Sequence, residues 1–333
     1  MTSTTFRPRG LAFAVVALLL APFAALADDA AVKAACDKAA KLGLPKPGSA
    51  GPSPKGCDAL DLYDGVGAAP AYGPARACAL NATGEPDIAF PPAAILSMIY
   101  ANGDGAPRND DLAIAYACAA GGAPAEISGR VEHLLERKRQ GAAVPDRFDF
   151  CDDITSGMMM GFCSSRAAKK DAVGRDAELT RLAARLTPPA SAAYARLRKA
   201  FTAYRDAVGE NEVDLSGTAR GAMVTGAKED EDEAFLATLR AALGTGPLDV
   251  KTALSTADGA LNAAYRTAQA EPDESRWGTV TKAGIKTTQR AWLAYRDAFT
   301  AFAAAAGSKT SSDRLAAALT TRRTENLRSF AEN

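Results

Sequence analysis

The residues best equipped for chemistry are six cysteines (Cys36, Cys57, Cys78, Cys118, Cys151 and Cys163), a single histidine and a few clustered carboxylates. An even number of cysteines in an oxidising compartment points to disulfides before metal ligands. Six cysteines allow fifteen pairings, and spacing does not select among them. The expectation is pairing between neighbours: Cys36 with Cys57, Cys78 with Cys118, Cys151 with Cys163. The last pair needs a bend, since twelve residues of straight helix span roughly 18 Å and a bridge needs Cα atoms within about 7 Å. Gly157 or Gly161 would supply it.

One histidine excludes any Ser-His or Cys-His catalytic pair that does not use His133. Its setting, Val131-Glu132-His133-Leu134-Leu135, reads as an ordinary helical imidazole. Asp152 and Asp153 are adjacent carboxylates, but acid-rich helices supply such pairs without catalysis. Met158, Met159 and Met160 lack a repeated ligand spacing and read as core filler. No S-x-x-K, H-E-x-x-H, G-x-S-x-G or phosphate-loop pattern occurs. The sequence therefore assigns no catalytic residue, no cofactor and no metal ligand, and no enzyme is expected.

The elements that must position these residues are helices. Lys199-Ala200-Phe201-Thr202-Ala203-Tyr204-Arg205-Asp206-Ala207 returns 91 residues later as Arg290-Ala291-Trp292-Leu293-Ala294-Tyr295-Arg296-Asp297-Ala298. Two copies of one helical unit are implied. On a helix, Trp292, Tyr295, Phe299 and Phe302 fall on one arc, as do Tyr194, Leu197, Phe201, Tyr204 and Val208. Arg296 and Arg205 lie at the edge of that arc, where the stem packs on aromatics, and Asp297 and Asp206 on the far flank. In the last helix Leu315, Leu319, Leu327 and Phe330 share a face with Arg323 in its middle. A buried arginine there needs an oxygen partner, with Asp297 or the helix ends near Gly307 as candidates.

Composition agrees with an all-α chain long enough for two cores. Basic and acidic residues balance at 39 each, so no field for nucleic acid or an acidic membrane surface is expected. Residues 1–27 read as a secretory signal: Arg7 and Arg9, an apolar run over 11–20 too short to span a bilayer, and Ala25-Leu26-Ala27 before the cut. The product is expected to be periplasmic or secreted, starting at Asp28, with no membrane insertion. A first helix over 30–41 leads to a Pro/Gly-rich linker that ends at residue 56.

From Cys57 a period of about 38 residues sets in. Leu62-Tyr63-Asp64-Gly65-Val66-Gly67 is echoed by Ile99-Tyr100-Ala101-Asn102-Gly103-Asp104-Gly105. A glycine-ended helix, a turn with Pro107 and an aspartate cap, and a second alanine-rich helix are predicted. This region, 57–140, resembles Sel-one-like repeats, relatives of the tetratricopeptide repeat, and the resemblance implies protein-protein binding. Further helices are expected over 171–185 and 190–208. The run Glu229-Asp230-Glu231-Asp232-Glu233 reads as the acidic first turn of a helix, or else as a patch for a basic partner.

Leu261-Asn262-x-x-Tyr265, Gln289-Arg290-Ala291-Trp292-Leu293-x-Tyr295-Arg296-Asp297-Ala298, Gly307-Ser308 and Thr320-x-x-Arg323-x-x-x-Leu327 together resemble the family of the LprI lysozyme inhibitor. Cys151 and Cys163 with Thr155 are similar to that family's opening cysteines, which extends the resemblance over about 148–330. Two other cysteines usual in that family are replaced near Phe299 and Ala317 or Ala318, so its disulfide pattern does not carry over. The architecture implied is a short repeat region followed by a duplicated antiparallel bundle, in units 146–245 and 246–333.

The resemblance implies a protein partner, with lysozyme as the candidate. The signature residues Trp292, Tyr295, Arg296, Asp297 and Arg323 are expected to be structural. Lys309, in the loop over 306–311, and the acidic residues Glu229, Asp230 and Glu231 are candidate contacts for such a partner. The alternative is an envelope adaptor that binds through its repeats near Tyr63 and Tyr100.

Overall fold

The computed structural model describes residues 21–83, 89–141 and 146–332, and its regular structure is helical throughout. The secretory-signal expectation rests mostly on residues 1–20, outside the described residues. In chain order the helices are α1 (Ala21–Ala39), α2 (Ala59–Asp64), α3 (Tyr72–Leu80), α4 (Pro92–Asn102), α5 (Asp110–Ala119) and α6 (Pro124–Gln140). They continue as α7 (Gly157–Ala183), α8 (Pro188–Asn211), α9 (Arg220–Ala242), α10 (Leu254–Ala270), α11 (Lys282–Ala305) and α12 (Ser312–Glu332). Among the described residues no helix is long and apolar enough to cross a membrane.

The chain divides into two compact units, Met1–Pro54 with Arg76–Asp153, and Lys55–Ala75 with Ile154–Asn333. In the first, α4 is apolar on every side, with residues 94–101 all buried. Gly103 ends it at φ 77°, a left-handed conformation open to glycine, and its N–H returns to the Ile99 carbonyl. The cap of α5 is Asn109, whose side chain accepts from the Leu112 N–H, and not the expected aspartate. Fully buried Ala94, Ala101, Ala113 and Ala117 let α4 and α5 approach closely. Tyr100 lies flat on Tyr116 with centroids 5.7 Å apart.

The disulfide between Cys36 and Cys118, with Cα atoms 5.8 Å apart, ties α1 to α5. It overturns two expected pairings, Cys36 with Cys57 and Cys78 with Cys118. The physical reason is that α1 packs on α5 and α6, elements remote in sequence, so its cysteine meets a partner 82 residues away. Cys57, Cys78, Cys151 and Cys163 are disulfide-bonded as well.

In the second unit the order of the sequence repeat is also the order of packing. Helix α7 packs on α9, α10 on α12, and the repeated helices α8 and α11 on each other. Shifted by 91 residues, α7, α8 and α9 fall on α10, α11 and α12. Tyr204 and Tyr295, equivalent in the repeat, stack face to face at 5.4 Å and 7°. Glu231 and Arg322, also 91 residues apart, form an ion pair at 3.2 Å. A residue that meets its own equivalent lies on a twofold axis, as at the centre of a symmetric dimer. The two helical triplets thus face each other about an approximate twofold, and their shared core includes Phe201, Phe235, Trp292, Phe299 and Phe302.

Several helix boundaries differ from expectation. Helix α7 begins at Gly157 with Ser156 as its cap, much earlier than 171, so Cys163 is helical while Cys151 precedes the helix. Of the three methionines only Met159 is buried, because successive residues of a helix point about 100° apart and one inward position turns both neighbours away from the core. Helix α2 joins this unit through a buried ion pair, Arg166 Nε to Asp64 Oδ2 at 2.6 Å.

Candidate functional site

Trp292 and Tyr295 are buried in the shared core, as the arc argument requires. The guanidinium of Arg296 lies 4.9 Å from the Trp292 ring centre and donates to Asp258 of α10 at 2.9 Å. Asp297 is exposed. Arg323 is fully buried, but its partner is not Asp297: Nη1 and Nη2 donate to the two oxygens of Glu212 at 2.7 and 2.6 Å, and Nε to Gln289 Oε1 at 2.9 Å. Burial pulls the Arg323 pKa down, and the Glu212 hydrogen bond and charge more than offset this, leaving it raised.

The phenols of Tyr204 and Tyr295 titrate above their ordinary value, first because burial penalises the phenolate and then because Glu231 repels it. The unfolded chain then loses these protons first, so their contribution to stability is complete below about pH 10 and falls as pH rises beyond it. Thermal melts should hold a steady midpoint up to about pH 9 and then decline, and Tyr204→Phe should reduce the steepness of that decline. A profile unchanged by this substitution would sink the assignment.

The acidic run is not a first turn. Helix α9 starts at Arg220, so the run sits mid-helix, and its charges are largely spent inside the unit. Glu229 pairs with Arg175 at 2.7 Å, Glu231 is buried against Arg322, and Asp232 is buried beside Arg205 at 3.2 Å. Asp230 and Glu233 are the exposed members.

Lys309 is exposed in the turn between α11 and α12. Gly307 takes a left-handed φ of 65°, its N–H returning to Ala304, and the Ser308 N–H returns to Ala303. Ser308 Oγ donates to the Thr310 carbonyl and accepts from the Thr310 N–H, each at 3.1 Å. Thr310 Oγ1 reaches the Ala241 carbonyl at the end of α9. An exposed lysine thus rides on a turn whose backbone is held on both sides.

Tyr100 lies in the other unit, buried under Tyr116, with its hydroxyl accepting from Arg76 Nε at 3.2 Å. A substitution there would damage a core before it tested a contact. His133 Nδ1 is 3.1 Å from Asp153 Oδ2, and its ring meets Phe148 edge-on. Neighbouring Asp152 has its pKa raised by burial. Among the described residues no group of His, Cys, Asp and Glu is placed to hold a metal ion.

The signature residues and the Lys309 turn lie in one continuous stretch. Residues 250–327 match the family described as Lysozyme inhibitor LprI. The LprI match spans α10, α11 and most of α12, the second of the two triplets, and includes the Lys309 turn. The first triplet lies outside it. No curated protein and no solved structure matches the chain. LprI names an inhibitor family, so the likeness points to action by binding. Sequence reasoning found the family signature; it missed Glu212 and Asp258, the carboxylates that hold Arg323 and Arg296.

Proposed function

We infer that the protein is exported and acts as a lysozyme inhibitor, by protein-protein binding through the α11–α12 turn. The observation that carries this reading is the LprI match over 250–327, which contains the exposed Lys309 on a constrained turn. Disulfide-bonded cysteines support an oxidising compartment, periplasmic or extracellular. Lysozyme works with two carboxylates in an open cleft, and a lysine on a preorganised loop offers them a counter-charge at little entropic cost. The acidic run, paired inside its own unit, has only Asp230 and Glu233 left for a basic partner.

The test is lysis of a bacterial suspension by a fixed amount of chicken-type lysozyme, with oxidised residues 28–333 titrated in at physiological salt. A stoichiometric, saturable fall in rate is expected. Lys309→Ala should weaken it at least tenfold, about 1.4 kcal/mol, without changing the thermal midpoint, because the side chain is exposed. No inhibition by folded protein in large excess would overturn the reading.

A further inference from the structure

A cleft of about 380 Å³ opens between α10 and α11, and nothing in the inhibitor reading uses it. Arg296 forms part of its wall, fixed by Trp292 and by Asp258. Gln289 has its carbonyl oxygen taken by Arg323, so its remaining polar group is an amide N–H donor. Lys286 and Arg290 are four residues apart on one face of α11, exposed and, among the described residues, without an ion pair. Three cations therefore line the cleft against one carboxylate, Asp258. Donors far outnumber acceptors, which suits an acceptor-rich anion. The ring of Tyr265 and the side chain of Leu293 add apolar surface.

The internal repeat acts as a control. Tyr295 and Arg296 have Tyr204 and Arg205 as equivalents, so what the core needs is present twice. The cleft is only in part: along α11, Lys286, Gln289 and Leu293 correspond to Ala195, Arg198 and Thr202 of α8, while Arg290 has a basic equivalent in Lys199. Lys286, Gln289 and Leu293 therefore differ from their equivalents, which separates them from what the two copies share.

We propose that this cleft binds a carboxylate-bearing sugar of one or two rings. Arg290 and Lys286 take the carboxylate, the side-chain amides of Gln289 and Asn262 take hydroxyl or acetamido groups, and Tyr265 packs on the ring. The volume falls in the range of small-ligand sites. A free sugar acid and an acidic wall glycan offer the same group, and the experiment separates them.

The experiment titrates the oxidised mature chain with N-acetylmuramic acid, N-acetylglucosamine and inorganic phosphate, read by calorimetry and by tryptophan emission, since Trp292 lies beneath Arg296. Co-sedimentation with beads that carry glycan strands stripped of their stem peptides by an amidase, in which the lactyl carboxylates are free, forms a parallel arm. N-acetylmuramic acid is expected to bind at least tenfold more tightly than N-acetylglucosamine, which lacks the carboxylate, and more tightly than phosphate. The Lys286→Gln/Arg290→Gln variant should lose that binding at least tenfold with an unchanged melt. Co-sedimentation lost in the same variant assigns the glycan as source, and binding of the monosaccharide alone assigns the free acid. Equal binding of the neutral sugar, equal binding of phosphate, absence of any sugar-acid binding, or an unaffected double variant would each overturn the proposal. Lysozyme inhibition, read on the same double variant and on Lys309→Ala, distinguishes failure here from failure of the inhibitor reading.

Discussion

Glu212→Ala is expected to lower the unfolding free energy of the C-terminal unit by about 3–5 kcal/mol, the cost of leaving a buried charge unpaired. Arg323 is fully buried and Glu212 nearly so, and two short hydrogen bonds join them. Gln289 takes the remaining Nε, and the Tyr204 ring centre lies 5.9 Å from the guanidinium carbon. Alanine at 212 strands the guanidinium in a low-dielectric site with one amide for company. A double replacement, Glu212→Leu with Arg323→Met, should recover most of the loss, because apolar residues of similar volume escape the desolvation that the ions must offset. Urea unfolding followed by tryptophan emission measures both, the midpoint carrying the effect at constant slope. A loss under about 1 kcal/mol for Glu212→Ala would show the pair to be better solvated than its burial implies.

That pair also shows what a sequence can and cannot disclose. Arg323 stood out because it interrupts an apolar helical face, so its need for an oxygen was legible. Its partner was not, since periodicity assigns faces and leaves open which remote helix end each face meets. Glu212 lies 111 residues away, at the C-terminal end of α8 in the other triplet. The repeated string was legible for the opposite reason. It is written in the residues themselves, and the Tyr204 and Tyr295 stack is the spatial form of that string.

The acidic run misled because five acids before an apolar stretch imitate a helix start, whereas α9 actually opens at Arg220 without a side-chain cap. The residues that line the α10–α11 cleft were partly legible as family signature, but only the structure separates Asn262, Tyr265 and Arg290 at the cleft from Trp292 and Tyr295 in the core.

The Cys36–Cys118 bridge carries the other large expected effect. It closes a loop of 82 residues, and in the chain-entropy account a loop of that length stabilises the fold by roughly 4.5 kcal/mol, less any relief of strain. The double variant Cys36→Ala/Cys118→Ala should therefore destabilise the N-terminal unit by about 2–5 kcal/mol, the range seen when native bridges are removed. Both tryptophans, Trp277 and Trp292, lie in the C-terminal unit, so the two units can be read separately. Far-ultraviolet dichroism, which reports helices in both, should resolve an early transition in the variant, while tryptophan emission keeps its original midpoint. The bridge acts on the unit whose chain it closes, and α1 has few other means of holding its place against α5 and α6: of its residues beyond Asp28 only Val32 and Ala39 are buried. If tryptophan emission moved as far as dichroism, the two units would unfold as one, and the stabilisation would belong to the whole chain.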